Sequence, residues 1–264
     1  MHFAVAAGSD VGRVRKGNED SFFADANEYR GLFMVADGMG GHAAGEVASQ
    51  MAVEVVSVDL EKLNDLESAD ALEMVSLALR HANRAVFERS AAERDKMGMG
   101  STASVLVLGD ERFIIGHLGD SRIYLYRDGE LRQITHDHSV VQEQIDAGLI
   151  TRDAAKNHKQ SNVITRCVGM GWDVEPDITD GEVRQGDVFL LASDGLTGMV
   201  DDWRLQQLLG SRAAPERLVD AMISEANARG GVDNITVVVV RVHSSSAMAT
   251  GAHPTPTPGS GSIG

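Results

Sequence analysis

The 264-residue sequence contains one cysteine, five prolines and few aromatic residues, which make up 5% of the chain. A single cysteine, Cys167, excludes an internal disulfide and is compatible with a reducing compartment. No apolar run reaches the roughly 18 residues that a membrane-spanning helix needs. The first ten residues also lack the basic flank and the long apolar stretch of a secretion signal. We therefore expect a cytoplasmic protein with no membrane span.

Basic residues are also scarce, since 24 Lys and Arg stand against 39 Asp and Glu and the formal net charge is -15. The corresponding pI of about 4.9 excludes a general nucleic-acid binder, because such a protein needs a basic face. The acidic balance favours a protein that gathers cations or accepts basic partners. Hydrophobic residues make up 43% of the chain and charged residues 24%, which is typical of a globular protein.

The composition divides the chain into a body and a tail. Residues 1–243 carry the periodic patterns of folded elements, and from Ser244 to Gly264 the chain is mainly Ser, Thr, Gly, Ala and Pro. Such a segment cannot bury enough apolar surface to offset the entropy of ordering it. We predict one domain over 1–243 and a flexible tail over 244–264.

Hydrophobic periodicity predicts two pairs of helices, at 44–62 with 69–94 and at 202–209 with 215–228. Pro215 is well placed at a helix start. Around these pairs lie segments with strand character, which are Phe3–Ala7, Ser21–Ala24, Leu32–Ala36, Ser101–Leu108, Phe113–Leu118, Ile123–Arg127, Leu131–Ile134, Asp187–Ala192 and Ile235–Val242. Paired helices disfavour a parallel fold, which would place one helix between every two strands. We predict an α+β fold of two mostly antiparallel sheets with helices on the outer faces.

Acidic residues stand at the ends of several of these strands. They are Glu19 with Asp20, Asp37, Asp120, Asp194 and Asp233. Taken singly, each Asp is most simply explained as a turn residue. Taken together, carboxylates that converge would repel one another and raise one another's pKa unless they bind cations. All-oxygen ligands select hard ions such as Mg²⁺ or Mn²⁺, and no His/Cys spacing typical of zinc is present.

These carboxylates belong to an ordered series of short motifs. The series is Asp10–Asp20, Val35–His42, Gly100–Ala103, Gly119–Arg122, Asp137–Ser139, Asn162–Arg166, Ala192–Leu196 and Asp233–Thr236. In this order the motifs resemble the metal-dependent serine/threonine protein phosphatases of type 2C, the PPM family, and in particular its compact bacterial members. The resemblance covers roughly residues 3–242. It implies a central sandwich of two antiparallel β-sheets flanked by pairs of antiparallel α-helices.

The resemblance further implies two tightly bound Mn²⁺ or Mg²⁺ ions and a third, weaker ion. By motif, Asp37 matches the carboxylate that bridges the two tight ions, and the backbone carbonyl of Gly38 matches a ligand of one of them. Asp194 and Asp233 match the other carboxylates of this pair. Asp120 matches the ligand of the third ion, which it shares with Asp194.

Substrate handling is also implied by the resemblance. Arg15 matches the arginine that binds the substrate phosphate, and Arg13 is the weaker candidate for that role. Asp20, with Glu19 beside it, matches the acidic element that orients metal-bound water. His42 matches the proposed general acid, although a metal-bound water could also donate that proton.

The implied function is hydrolysis of phosphoserine and phosphothreonine in proteins, opposing a cognate Ser/Thr kinase, by direct attack of a water or hydroxide that bridges two metals. An aspartyl-phosphate route would need a second acid two residues after Asp37, where Met39 stands. The alternative is a catalytically weak phosphoprotein-binding regulator of the same fold. Such a relative is expected to lack a metal ligand, and this chain retains all four Asp residues that match the family's metal ligands. We expect a monomer whose segment 145–170 is a flap that tunes substrate choice.

Overall fold

The computed structural model describes residues 2–27, 30–40, 43–155 and 158–243. Within them, the strands in chain order are β1 His2–Asp10, β2 Asp20–Ala26, β3 Gly31–Met39, β4 Gly100–Ser101, β5 Ala103–Leu108, β6 Arg112–Leu118, β7 Arg122–Arg127, β8 Glu130–Gln133, β9 Asp177–Glu182, β10 Val188–Ala192 and β11 Ile235–His243. The first sheet has the order β1-β11-β10-β7-β8, and the second sheet has the order β2-β3-β5-β6-β9 with β4 paired to β3. Neighbouring strands run antiparallel, which confirms the predicted fold class.

Helices cover the outer face of each sheet. The described helices are α1 Ala43–Leu60, α2 Ala71–Ala92, α3 Val140–Asp146, α4 Arg152–Ala155, α5 Asp194–Thr197, α6 Asp202–Leu209 and α7 Pro215–Ala228, with a 3₁₀ turn at Arg94–Lys96. The pair α1 and α2 packs on the second sheet, and α5 to α7 pack on the first. In the part of the chain that is described, no helix combines the length and the apolar character needed to cross a membrane.

Strand periodicity sorts the apolar side chains into three layers. On β3, Met34 and Ala36 pack beneath the helices of the second sheet, whereas Phe33 and Val35 enter the layer between the sheets. On β11, Val239 faces its own helices. This alternation decides which polar side chains, at the ends of the same strands, point into the space between the two sheets.

Several elements differ from the sequence prediction. Strand β9 was not predicted because Asp-Ile-Thr-Asp-Gly-Glu has no apolar run, and it pairs only at the edge, with β6. The strand predicted over Ser101–Leu108 is interrupted at Thr102, so β4 and β5 are separate. The short helices α3 to α5 also lacked a periodic pattern. The flap over 145–170 and the tail over 244–264 stay predictions; Lys156, Asn157 and the whole tail lie outside the described residues.

Candidate active site

Strand pairing brings the predicted carboxylates to one end of the sandwich. In the second sheet, the register of β2 and β3 places Asp20 opposite Asp37. Because Phe33 and Val35 point between the sheets, Asp37 continues the same side of β3. Asp20 is buried. This edge of the second sheet therefore contributes two carboxylates to the inter-sheet space.

The first sheet contributes its carboxylates at the same end. Asp194 follows β10 and Asp233 precedes β11, and these strands pair so that Ala192 lies opposite Val237. Ala192 also lies opposite Arg122 of β7, and Asp120 occupies the turn just before that strand. We call the resulting group the acidic centre; its members are Asp20, Asp37, Asp120, Asp194 and Asp233.

A hydroxyl joins the two sheets at the acidic centre. The Ser193 Oγ donates to Asp20 Oδ2 at 2.8 Å and accepts the Thr236 backbone N–H at 2.9 Å. Thr236 belongs to β11 and Ser193 directly follows β10, both in the first sheet, whereas Asp20 opens β2 in the second. Because the Ser193 side chain is fully buried, this contact fixes where the Asp20 carboxylate lies.

Thr102 positions the backbone of Asp37. Its Oγ1 accepts the Asp37 N–H at 2.8 Å, and its own N–H donates to the Asp37 carbonyl at 2.8 Å. The same hydroxyl hydrogen-bonds to the Ser121 hydroxyl at 2.8 Å. Thr102 is fully buried, so it connects the Asp37 end of β3 to the turn that carries Asp120.

Gly38 has no space for a side chain. A Cβ there would overlap the carbonyl oxygens of Gly45 and Glu19. Its N–H donates to the Glu19 carbonyl at 3.1 Å. Gly45 lies in the first turn of α1, and a Cβ on Gly45 would meet the Glu19 carboxylate. Only glycine therefore lets β3, the Glu19 loop and α1 approach one another closely, with a carboxylate beside a helix N-terminus, which favours negative charge.

Asn234 holds the loop that precedes β2. Its Nδ2 donates to the carbonyls of Val11 at 3.0 Å and Gly17 at 2.9 Å, and its Oδ1 accepts the Glu19 N–H at 2.9 Å. The Asn234 N–H in turn donates to Asp233 Oδ1 at 2.8 Å. One buried amide thus ties the Glu19 loop to the residue next to Asp233.

Arg15 reaches the acidic centre from this loop. Its Nη2 donates to Asp233 Oδ2 at 2.6 Å, and half of the side chain stays exposed. The hydrogen bond that Arg15 donates to Asp233 raises the pKa of Arg15, and the charges of Glu19 and Asp37 act in the same direction. Arg15 is thus a cation at the mouth of an acidic pocket.

Four carboxylates of the acidic centre are buried, which disfavours their ionised form. Burial raises the pKa of Asp37 well above its usual range, and the charges of the other carboxylates add to the effect. Burial likewise raises the pKa of Asp20 to about 7, of Asp120 to about 8 and of Asp194 to about 6. For Asp194, the charge of Asp233 contributes next. Buried like charges of this kind are relieved by a bound cation.

The donor set fits a hard divalent cation. Asp20 Oδ1 and Asp194 Oδ1 are buried carboxylate oxygens without a hydrogen-bond partner, and all members of the acidic centre are oxygen donors. As the side chains stand, no three His, Cys, Asp or Glu side chains within the described ranges form a ready ligand set. Asp233 is instead paired with Arg15. An ion at Asp233 would displace this contact.

The structure thus gathers most of the residues that the sequence singled out, whereas Arg13 is exposed to solvent. Asp20, Asp37, Asp120, Asp194 and Asp233 face one space together with Arg15, whereas His42 lies outside the described residues. Sequence reasoning assigned no role to Thr102, Ser193 or Asn234. The available signal was their position inside the quoted motifs, next to an acidic residue or a buried strand.

Comparison with known proteins agrees with this geometry. Residues 8–234 match the family model described as Protein phosphatase 2C. The serine/threonine phosphatase stp of Listeria monocytogenes is 37% identical over 234 residues, which cover 88% of this chain and 93% of that protein. The serine/threonine protein phosphatase PstP of Mycobacterium tuberculosis is 44% identical over 240 residues, which cover 90% of this chain and 44% of PstP.

A solved structure extends the similarity to three dimensions. The catalytic domain of PstP, in complex with two manganese ions, has a TM-score of 0.79 and 41% identity to this chain and covers 92% of this chain and 99% of that domain. The family-model match, over residues 8–234, contains every member of the acidic centre. The family predicted from the motifs is therefore confirmed, and the chain belongs to the protein phosphatase 2C family of metal-dependent serine/threonine phosphatases.

Proposed function

We propose that the chain removes phosphate from phosphoserine and phosphothreonine in proteins, at the acidic centre, and so opposes a Ser/Thr protein kinase. The observation that carries this proposal is the convergence of five carboxylates from both sheets, two of them with unpartnered buried oxygens, beside one guanidinium. Family membership supports the reaction class, and the relative PstP was solved with two manganese ions.

Asp37, the Gly38 carbonyl, Asp194 and Asp233 would hold the two tight Mn²⁺ or Mg²⁺ ions. When bound, such ions lower the pKa of water and neutralise the charge that develops on phosphoryl oxygens. Asp120 would hold a third, weaker ion together with Asp194. The charge of Asp194 is the largest neighbouring influence that raises the pKa of Asp120, which supports placing these two carboxylates at one ion.

Arg15 would bind the substrate phosphate. It now donates to Asp233, and an ion at Asp233 would compete for that carboxylate and release the guanidinium. A guanidinium then offers two parallel donors to a phosphate and stays charged at any physiological pH. Because half of the Arg15 side chain is exposed, a phosphate bound there would lie at the mouth of the pocket.

Asp20 would orient the attacking water. Its Oδ2 is fixed by Ser193, and its Oδ1 has no hydrogen-bond partner and can accept from a water molecule. We propose that water attacks phosphorus directly. Met39 stands where an aspartyl-phosphate enzyme needs an acid, which disfavours a phosphoenzyme route. Whether His42 donates the proton to the leaving alkoxide stays a prediction.

Phosphate release tests the proposal directly. We expect hydrolysis of a phosphothreonine peptide and of p-nitrophenyl phosphate with Mn²⁺, and none with excess chelator. Asp70→Ala is the matched control for changes in the acidic centre, because Asp70 is exposed and its side chain caps no backbone N–H. A phosphopeptide that binds without turnover would instead identify the phosphoprotein-binding alternative.

A further inference from the structure

A short segment, Val11–Gly17, borders the acidic centre and is called the basic loop. Val11–Gly17 contains Arg13, Arg15 and Lys16 and no acidic residue, although the chain as a whole has 39 acidic and 24 basic residues. The local charge of this segment is therefore opposite in sign to the net charge of the chain.

The basic loop is fixed to the turn that carries Asp233. Asn234 holds the loop at both ends, through the carbonyls of Val11 and Gly17. In between, the Arg13 N–H donates to the Gly231 carbonyl at 2.7 Å. Gly12 has a φ of +81° and lies so close to the Asp233 carbonyl that a Cβ would overlap it. The loop therefore presents its side chains from a defined backbone.

The three cations of the loop have different surroundings. Arg15 is engaged by Asp233, whereas Arg13 and Lys16 are exposed and form no ion pair with any residue that the structure describes. Arg13 contributes to the lowered pKa of Asp10, but the carboxylate of Asp10 is bonded to Asn227 and to the Gly12 N–H, which dominate that shift. Two positive charges are thus directed to solvent beside the site.

We infer that Arg13 and Lys16 recognise acidic residues that flank the phosphorylated residue of the substrate. The inference rests on the proposed function, because it assigns these cations to the same phosphoprotein substrate. An extended peptide whose phosphate lies at Arg15 must cross the rim that the basic loop forms. Acidic side chains on that peptide would find two uncompensated cations there, while the remaining acidic surface repels them.

The test compares three phosphothreonine peptides that differ only in flanking residues: acidic, neutral or basic. We expect the wild type to show a higher kcat/KM for the acidic than for the neutral peptide. In the double variant Arg13→Gln and Lys16→Gln, the acidic-to-neutral ratio of kcat/KM should fall about 5-fold, the effect of two exposed ion pairs of ordinary strength. The change should lie in KM, and the preference should shrink as salt screens the charges.

A second double variant, Lys62→Gln and Arg217→Gln, removes the same charge elsewhere. Both residues are exposed. Lys62 follows α1, whose 18 residues put it about 27 Å from the first turn of that helix. This control should keep the wild-type ratio. Equal kcat/KM for acidic and neutral peptides, or an equal fall of the ratio in both double variants, would overturn the inference. If no peptide releases phosphate, the proposed function itself fails.

Discussion

Replacing Thr102 by valine should weaken both the fold and the acidic centre. The substitution keeps the shape of the side chain and removes the Oγ1 that accepts the Asp37 N–H and hydrogen-bonds to Ser121. The Asp37 N–H is left without an acceptor in a site with no access to water, because Thr102 is fully buried. No cavity is created, so the loss comes from the hydrogen bonds alone.

The magnitude follows from those two contacts. An orphaned buried N–H costs about 1–3 kcal/mol, and loss of a hydroxyl partner adds about 1 kcal/mol. We expect the free energy of unfolding of Thr102→Val, measured in urea with chelator present, to fall by about 2–4 kcal/mol. Because Thr102 also orients Asp37, the Mn²⁺ concentration for half-maximal activity should rise about 10-fold, as for other residues that support a metal ligand.

Thr135→Val separates the two effects. Thr135 is buried, and its Oγ1 accepts one backbone N–H, that of Ile123, at 3.0 Å. The variant should lose about 1–3 kcal/mol with the wild-type Mn²⁺ requirement. The reasoning is refuted if Thr102→Val unfolds at the wild-type urea concentration, or if both variants shift the Mn²⁺ requirement equally.

Three further predictions concern the charges of the site. With chelator present, the melting temperature should fall as pH rises from about 5 to 8. The reason is that burial raises the folded pKa values of Asp20, Asp120 and Asp194 to about 7, 8 and 6, so their protonated forms stabilise the fold only below those values. Saturating Mn²⁺ should flatten this dependence, and a flat profile without metal would contradict the account. Asp120→Ala should keep two tight Mn²⁺ ions in calorimetry while turnover falls, and loss of both tight ions would reject its assignment to a third ion. Arg15→Ala should raise KM for a phosphothreonine peptide more than 10-fold, by loss of a charge-assisted phosphate contact, whereas an unchanged KM would remove Arg15 from phosphate binding.

Local patterns in the sequence predicted the elements better than the contacts between them. The apolar segment that ends at Asp37 and the one that ends at Asp194 were readable as strands, because alternation and burial act over a few residues. Their convergence was not readable from local pattern, since it depends on a sheet order that places β1 beside β11, the first strand beside the last. The convergence of the carboxylates was predicted from the ordered motifs and not from the periodicity.

The supporting side chains show the same limit. Arg15 and Asp233 meet although 218 residues separate them, and Ser193 reaches Asp20 across 173 residues. A buried hydroxyl such as that of Thr102 has no pattern of its own, because its partners are backbone groups that any sequence possesses. Strand β9 was missed for a related reason, since an exposed edge strand needs few apolar residues.

The central claim is that the acidic centre binds divalent ions and that these ions are required for phosphate release. Calorimetric titration with Mn²⁺, paired with phosphothreonine-peptide hydrolysis on the same samples, tests it for the wild type, Asp37→Ala and the control Asp70→Ala. The account predicts two tightly bound ions and turnover in the wild type and the control, and neither in Asp37→Ala. Mn²⁺-dependent turnover retained by Asp37→Ala would contradict it.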